Sequence, residues 1–193
     1  MDGKLAFALT TLAILSMLGP TNTLLATSGA MRGFRQSLPL VLAELCGYLT
    51  AVLAIGRVIG PVLQGSPWLF GILRLCATFY LGYLAIHLWR RGIEIDPSRA
   101  PGPRDVFVVT LLNPKAVIFA LFVIPMKSDR WPAYTAAFSG MVVVMSVVWI
   151  YLGVLSTTGK FGQAVRKVTP RVSAGVLAGF AVLAVWTAVA SFV

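Results

Sequence analysis

The sequence predicts an all-α membrane protein of six transmembrane helices, arranged as two inverted three-helix repeats whose first and fourth helices are broken. Three observations carry this. The 193-residue chain is 58% hydrophobic and 11% charged, with a mean hydropathy of +0.87, whereas a soluble domain carries roughly twice that charged fraction. Its apolar residues fall into six runs of about the twenty residues that a bilayer core demands. The leading run of each three-helix half is interrupted near its middle by a proline and an asparagine, as "LGPTNTLL" and "LLNPKAVIF".

The spans run roughly over 5–30, 37–56, 67–89, 106–126, 133–155 and 172–192. The first is expected to be a retained span and not a signal peptide: Leu5 to Met31 is uncharged for 27 residues, longer than the about 7–15 residues of an h-region, and lacks a clear cleavage site. The separators carry charge, Gly or Pro. Pro67 suits the first turn of its helix. Trp68, Trp89 and Trp131 stand at span ends, where an interfacial aromatic belt would put them.

Basic residues set the orientation. Separators one, three and five hold ten of them: Arg32, Arg35, Arg90, Arg91, Arg99, Arg104, Lys160, Arg166, Lys167 and Arg171. The opposite side holds four, Lys4, Arg57, Lys127 and Arg130. The richer side faces the cytoplasm, which puts both termini outside a plasma (inner) membrane crossed several times. The net charge of +10 therefore reports orientation, not a phosphate-binding face, and no nucleic-acid partner is expected. Residues 1–89 form the first repeat, 90–105 a Pro- and Arg-rich cytoplasmic linker, and 106–193 the second repeat. Three spans per half is an odd number, so the second half is inverted in the membrane, the plan of many secondary transporters.

The interruptions have a physical meaning. Proline lacks an N–H and clashes with the carbonyl one turn earlier. A freed carbonyl in hydrocarbon costs several kcal/mol unless a side chain or water answers it. Thr21, Thr23, Asn22 and Asn113 can supply that answer. A broken helix also exposes half-helix ends, one attracting anions and the other cations. Such a pair suits a zwitterionic substrate. The plainer reading of each proline is a structural kink.

Three charges fall inside spans: Glu44, Arg74 and Lys115. An ionised side chain at mid-membrane costs about 2.5–3.5 kcal/mol on insertion scales. Lys115 lies about ten residues from each span end, about 15 Å at 1.5 Å per residue, too deep to snorkel easily. It lines a pathway, or it locks the break by donating to carbonyls that Pro114 frees. Glu44 is the acid within a span, and two roles stand side by side for it: proton coupling or substrate binding, and a structural ion pair with Lys115 or Arg74. Gly47 and Tyr48 share its helix face, small and polar enough to border a cavity. Arg74 either snorkels or joins the pathway, with Thr78 one turn further in. His87 reads as interfacial.

Cys46 and Cys76 read as apolar packing residues. With one histidine and no CxxC spacing, no metal site and no cofactor are expected. The "GVLAG" at 175–179 permits close helix approach, within the bundle by preference and otherwise in a homodimer.

These segments, in order, resemble the lysine exporter (LysE/RhtB) superfamily of amino-acid exporters. "LGPTNTLLATSGAMRGFRQSL" is similar to its first-span signature, a Gly-Pro and Asn followed by an aliphatic stretch closing on R-G-x-R. "LRLCATFYLGYLAIHLWRR" is similar to its third span, with Arg74, then Tyr80-Leu81 and a basic exit. "LLNPKAVIFALFVIP" is similar to its N-P-K-A segment and later proline, here Pro125. The resemblance implies outward, proton-driven movement of amino acids or related small zwitterions. It also implies a site around Gly19, Pro20, Asn22, Asn113, Pro114 and Lys115. Thr21 adjoins that site, and Tyr48, Arg74, Thr78 and Tyr80 are candidates for the pathway. The chain departs from lysine-type members in placing its span-two acid, Glu44, one turn before their position, here Gly47. The expected partners are a small-molecule substrate and the lipid bilayer, and no enzymatic activity is expected. Two rival classes are a membrane thiol or electron-transfer protein, which needs cysteines at the broken spans, and a non-transporting membrane assembly protein, which would tolerate loss of Lys115 and Glu44.

Overall fold

The computed structural model describes residues 3–59, 83, 86 and 100–157. Nearly all of them are helical, and no strand occurs among them. The sixth span, the third apart from Tyr83 and Ile86, Arg74, Thr78, Tyr80, Cys76, His87 and the 175–179 motif lie outside the described residues.

Seven α-helices build the described part: α1 Gly3–Ser16, α2 Pro20–Arg32, α3 Phe34–Ser37, α4 Pro39–Leu53, α5 Pro103–Leu111, α6 Pro114–Ile118 and α7 Trp131–Leu155. Two continue into π-helical turns, α4 through Ala54–Ile59 and α6 through Phe119–Val123. Phe34–Val58 and Trp131–Leu155 are each long and apolar enough to cross a membrane. The pairs α1/α2 and α5/α6 meet the same standard only as bent units, turning by 61° and 48° at their breaks.

Proline explains where these helices begin. Pro20, Pro39, Pro103 and Pro114 are each the first residue of a helix, and Pro132 is the second residue of α7. The first turn tolerates proline because its missing N–H has no intrahelical partner there. In the first and fourth spans, therefore, proline does not kink a continuous helix. It starts a second helix, and the break lies just before it. α5 begins at Pro103, about one turn ahead of the expected start of its span, helped by Asp105, whose carboxylate accepts from the Gly102 N–H at 2.8 Å.

The corner after α2 turns on Gly33, whose φ of +80° is the left-handed region that other residues rarely adopt. Two serines zip the corner: Ser28 and Ser37 share a hydrogen bond of 2.8 Å, and the Ser37 hydroxyl also lies 2.9 Å from the Gly33 carbonyl. Arg32 donates to the Ala100 carbonyl at 2.8 Å, so the loops after the first span and before α5 lie on one side of the bundle.

α2 packs along α7, and α4 along α5. In the first interface two glycines interlock. A Cβ on Gly29 would strike the Ile150 carbonyl of α7, and a Cβ on Gly153 would strike the Ala26 carbonyl of α2. The backbones touch, so neither position has room for a side chain. Deeper in the bundle Tyr48, Phe119 and Phe138 bring α4, α6 and α7 together, with ring centroids 4.7 to 5.9 Å apart. On α7, Val144, Val148 and Tyr151 form an exposed apolar stripe at helical spacing, suited to hydrocarbon.

Candidate functional site

The two breaks meet. At the first, residues 17–19 leave the helix between α1 and α2. Asn22, one turn into α2, turns its amide back across the gap. Its Nδ2 donates to the carbonyls of Leu15 at 2.8 Å and Met17 at 2.7 Å, which uses both amide hydrogens. Thr23 donates to the Gly19 carbonyl at 2.9 Å. The backbone groups that the break exposes are answered inside the chain, as hydrocarbon requires.

At the second break Asn113 is the N-cap of α6. Its Oδ1 accepts from the Lys115 N–H at 3.0 Å. Its Nδ2 donates to the Thr21 hydroxyl at 3.0 Å, joining one break to the other. Thr110, the last but one residue of α5, donates to the Val106 carbonyl at 2.7 Å and lies 3.3 Å from the Thr21 hydroxyl.

Lys115 completes the junction. Its side chain is 3% exposed, and its Nζ donates to the Met17 carbonyl at 2.5 Å. Of the acceptors open to it, the lysine thus meets a carbonyl of the other broken span. Met17 O accepts from both Asn22 and Lys115, so its two lone pairs are occupied. Gly19 borders the lysine: a Cβ there would lie 3.3 Å from both Lys115 Cε and Nζ. Thr21, Asn22, Asn113 and Lys115 are all buried.

Glu44 stands apart from the junction. It is buried on α4, and its Oε2 is hydrogen-bonded to the Ser146 hydroxyl of α7. Glu44 and Lys115 lie near enough for a charge on one to bear on the other, but no ion pair joins them among the described contacts. Gly47 packs against Thr110 and the Phe107 carbonyl, with a Cβ falling 2.8 and 2.9 Å from them, and Tyr48 is enclosed by Phe119 and Phe138. Cys46 is exposed and is not among the residues that join the breaks.

A cleft of about 1050 Å³ opens beside the two π-helical turns, floored by Ala120 and Ile124 and rimmed by Arg57, Lys127, Asp129 and Trp131. Arg57 stacks over the Trp131 ring at 4.8 Å. None of the described residues at the breaks lines this cleft.

Sequence reasoning missed Thr110 and Ser146. Both are small hydroxyl residues inside apolar runs, where such residues usually bond their own helix at i−4 and so give no distinct signal. It also missed Met17, which acts through its backbone.

A family model described as LysE type translocator matches residues 12–189. The chain is 22% identical over 152 residues to a protein of Vibrio cholerae serotype O1 described as an uncharacterized membrane protein, with 73% of each chain covered. No solved structure matches.

Proposed function

The chain belongs to the LysE type translocator family, and on that premise we propose that it is a secondary exporter of amino acids or related small zwitterions. It lies in the membrane. The finer reading is six spans in two inverted repeats, with a midplane site at the two breaks reached alternately from each side of the plasma membrane.

The observation that carries this reading is the bond from Lys115 to Met17 across the breaks. A buried ammonium held by a carbonyl is under-neutralised, and a substrate carboxylate would be a stronger acceptor for it. Lys115 would then exchange Met17 for the substrate, and the two broken spans would part. Met17 would keep its bond from Asn22, so the exchange strands no carbonyl. Thr21 and Asn113 offer polar atoms beside the same point. Glu44, near enough to feel a charge on Lys115, would carry the coupling proton or receive the substrate's amino group. Tyr48, one turn from Glu44 on α4, Arg74, Thr78 and Tyr80 stay proposals for the pathway.

The test is efflux from proteoliposomes loaded with single labelled amino acids, under an imposed proton gradient. Export of one or a few of them is expected, with Lys115→Ala and Glu44→Gln each abolishing it while the protein still elutes as a folded species. If both variants export at the wild-type rate, these roles are wrong. A Cys46→Ser, Cys76→Ser double variant should export normally, which separates this reading from a thiol-based one.

A further inference from the structure

Ser146 has one hydroxyl hydrogen and two partners. Its Oγ lies 2.6 Å from the Val142 carbonyl of its own helix, and it is also hydrogen-bonded to Glu44 Oε2. Each of these oxygen pairs needs a hydrogen between its members, because two bare oxygens at such separations repel. Shared between both, a single hydrogen makes two weak bifurcated bonds, whereas two full bonds need a second hydrogen from elsewhere. The Val142 carbonyl has none to give. Glu44 has one only as the carboxylic acid.

We infer that Ser146 is a positioning residue for Glu44, accepting a hydrogen bond from its protonated carboxyl and donating its own to the Val142 carbonyl. When Glu44 gives up its proton to water or substrate, the chain of hydrogen bonds reverses. The Ser146 hydroxyl rotates away from Val142 and donates to the carboxylate. Val142 keeps the backbone N–H that its carbonyl accepts within α7, so neither state strands a buried group. Ser146 thus gives both protonation states of a buried acid a satisfied partner. Among the described residues, the charged and titratable groups that bear on Glu44 are Lys115 of α6 and Tyr48 of α4. Among the described contacts neither bonds to the carboxyl, which leaves Ser146 as the group that answers it.

This inference borrows its purpose, a coupling proton, from the export reading, but its test needs neither substrate nor transport. Infrared spectra of the full chain in lipid at neutral pH should contain a carboxylic-acid C=O band that shifts in D2O and disappears in Glu44→Gln. In Ser146→Ala the acid loses its hydrogen-bond acceptor, and the band should move to higher frequency. No Glu44-dependent acid band in the wild type would overturn the inference, as would a band that Ser146→Ala leaves in place. A protein that exports nothing yet shows the band and its shift would refute the export reading alone.

Discussion

The Lys115 ammonium and the Met17 carbonyl, 98 residues apart in sequence, are joined by a hydrogen bond of 2.5 Å that spans the two helix breaks. The carbonyl is free to accept because Pro20 follows it and the helix has stopped. The ammonium reaches it because Pro114 starts α6 immediately before Lys115. Each break supplies one half of the bond. What a membrane helix ordinarily forbids, an open carbonyl and a buried cation, becomes permissible when the two answer each other.

Gly19 keeps that bond possible. A Cβ at 3.3 Å from Lys115 Cε and Nζ is tight, but it meets the far end of a flexible side chain. Gly19→Ala should therefore lower export modestly and leave thermal stability close to wild type. Gly19→Val adds two more methyl groups, and overpacking of this kind costs about 1–3 kcal/mol. Export should fall in the order wild type, Ala, Val, measured as initial efflux rates beside melting curves in detergent. Equal rates for all three would mean that the lysine needs no room there.

Asn22 and Lys115 should be energetically coupled. Asn22→Leu leaves the Leu15 carbonyl without its side-chain donor, a loss of about 1–3 kcal/mol, while Met17 still has Lys115. Lys115→Met leaves Met17 with Asn22. Only the double variant leaves Met17 with neither, so its loss of stability should exceed the sum of the singles by about 0.5 kcal/mol or more. Strict additivity in a double-mutant cycle of unfolding free energies would show that the shared acceptor does not couple them.

The interlocked glycines give a sharper contrast. Gly29→Ala and Gly153→Ala each drive a Cβ into a backbone carbonyl of the facing helix, where no rotamer change can relieve it. Each should destabilise by at least about 1–3 kcal/mol, seen as a lowered melting temperature and poor yield. Gly140 lies on the same α7 with nothing among the described residues within 4 Å of its would-be Cβ, and Gly140→Ala should be neutral or gain up to about 1 kcal/mol of helix propensity. A similar loss at Gly140 would point to helix flexibility, not interface contact, as the reason for these glycines.

The broken spans were legible because their cause is local. A proline beside an asparagine inside an apolar run means a helix interruption wherever the chain goes next, and Lys115 stood out by its charge alone. The partners were not legible. Met17 contributes a carbonyl, which every residue has. Ser146 and Thr110 are hydroxyls of a kind common in membrane helices. Gly29 and Gly153 are single glycines far apart in sequence, less conspicuous than the "GVLAG" that sequence reading selected. Glu44 was identified as an important acid, but its partner follows from how α4 lies against α7, which no local pattern encodes.

Asn113 holds two jobs that substitution can separate. Its Oδ1 caps α6, and its Nδ2 ties that cap to Thr21. Asn113→Ala loses both, and the cap alone is worth about 0.5–2 kcal/mol. Asn113→Asp keeps the acceptor for the Lys115 N–H but has no amide hydrogen for Thr21. If the link to Thr21 matters for holding the breaks in register, Asp should retain most of the stability that Ala loses yet export at a clearly reduced rate. Thr21→Val, which removes the other end of the same link and spares the cap, should reproduce the slow export without the loss of stability. Melting temperature and efflux rate, measured on all three variants, separate the roles: an Asp variant that exports like the wild type would reduce Asn113 to a helix cap.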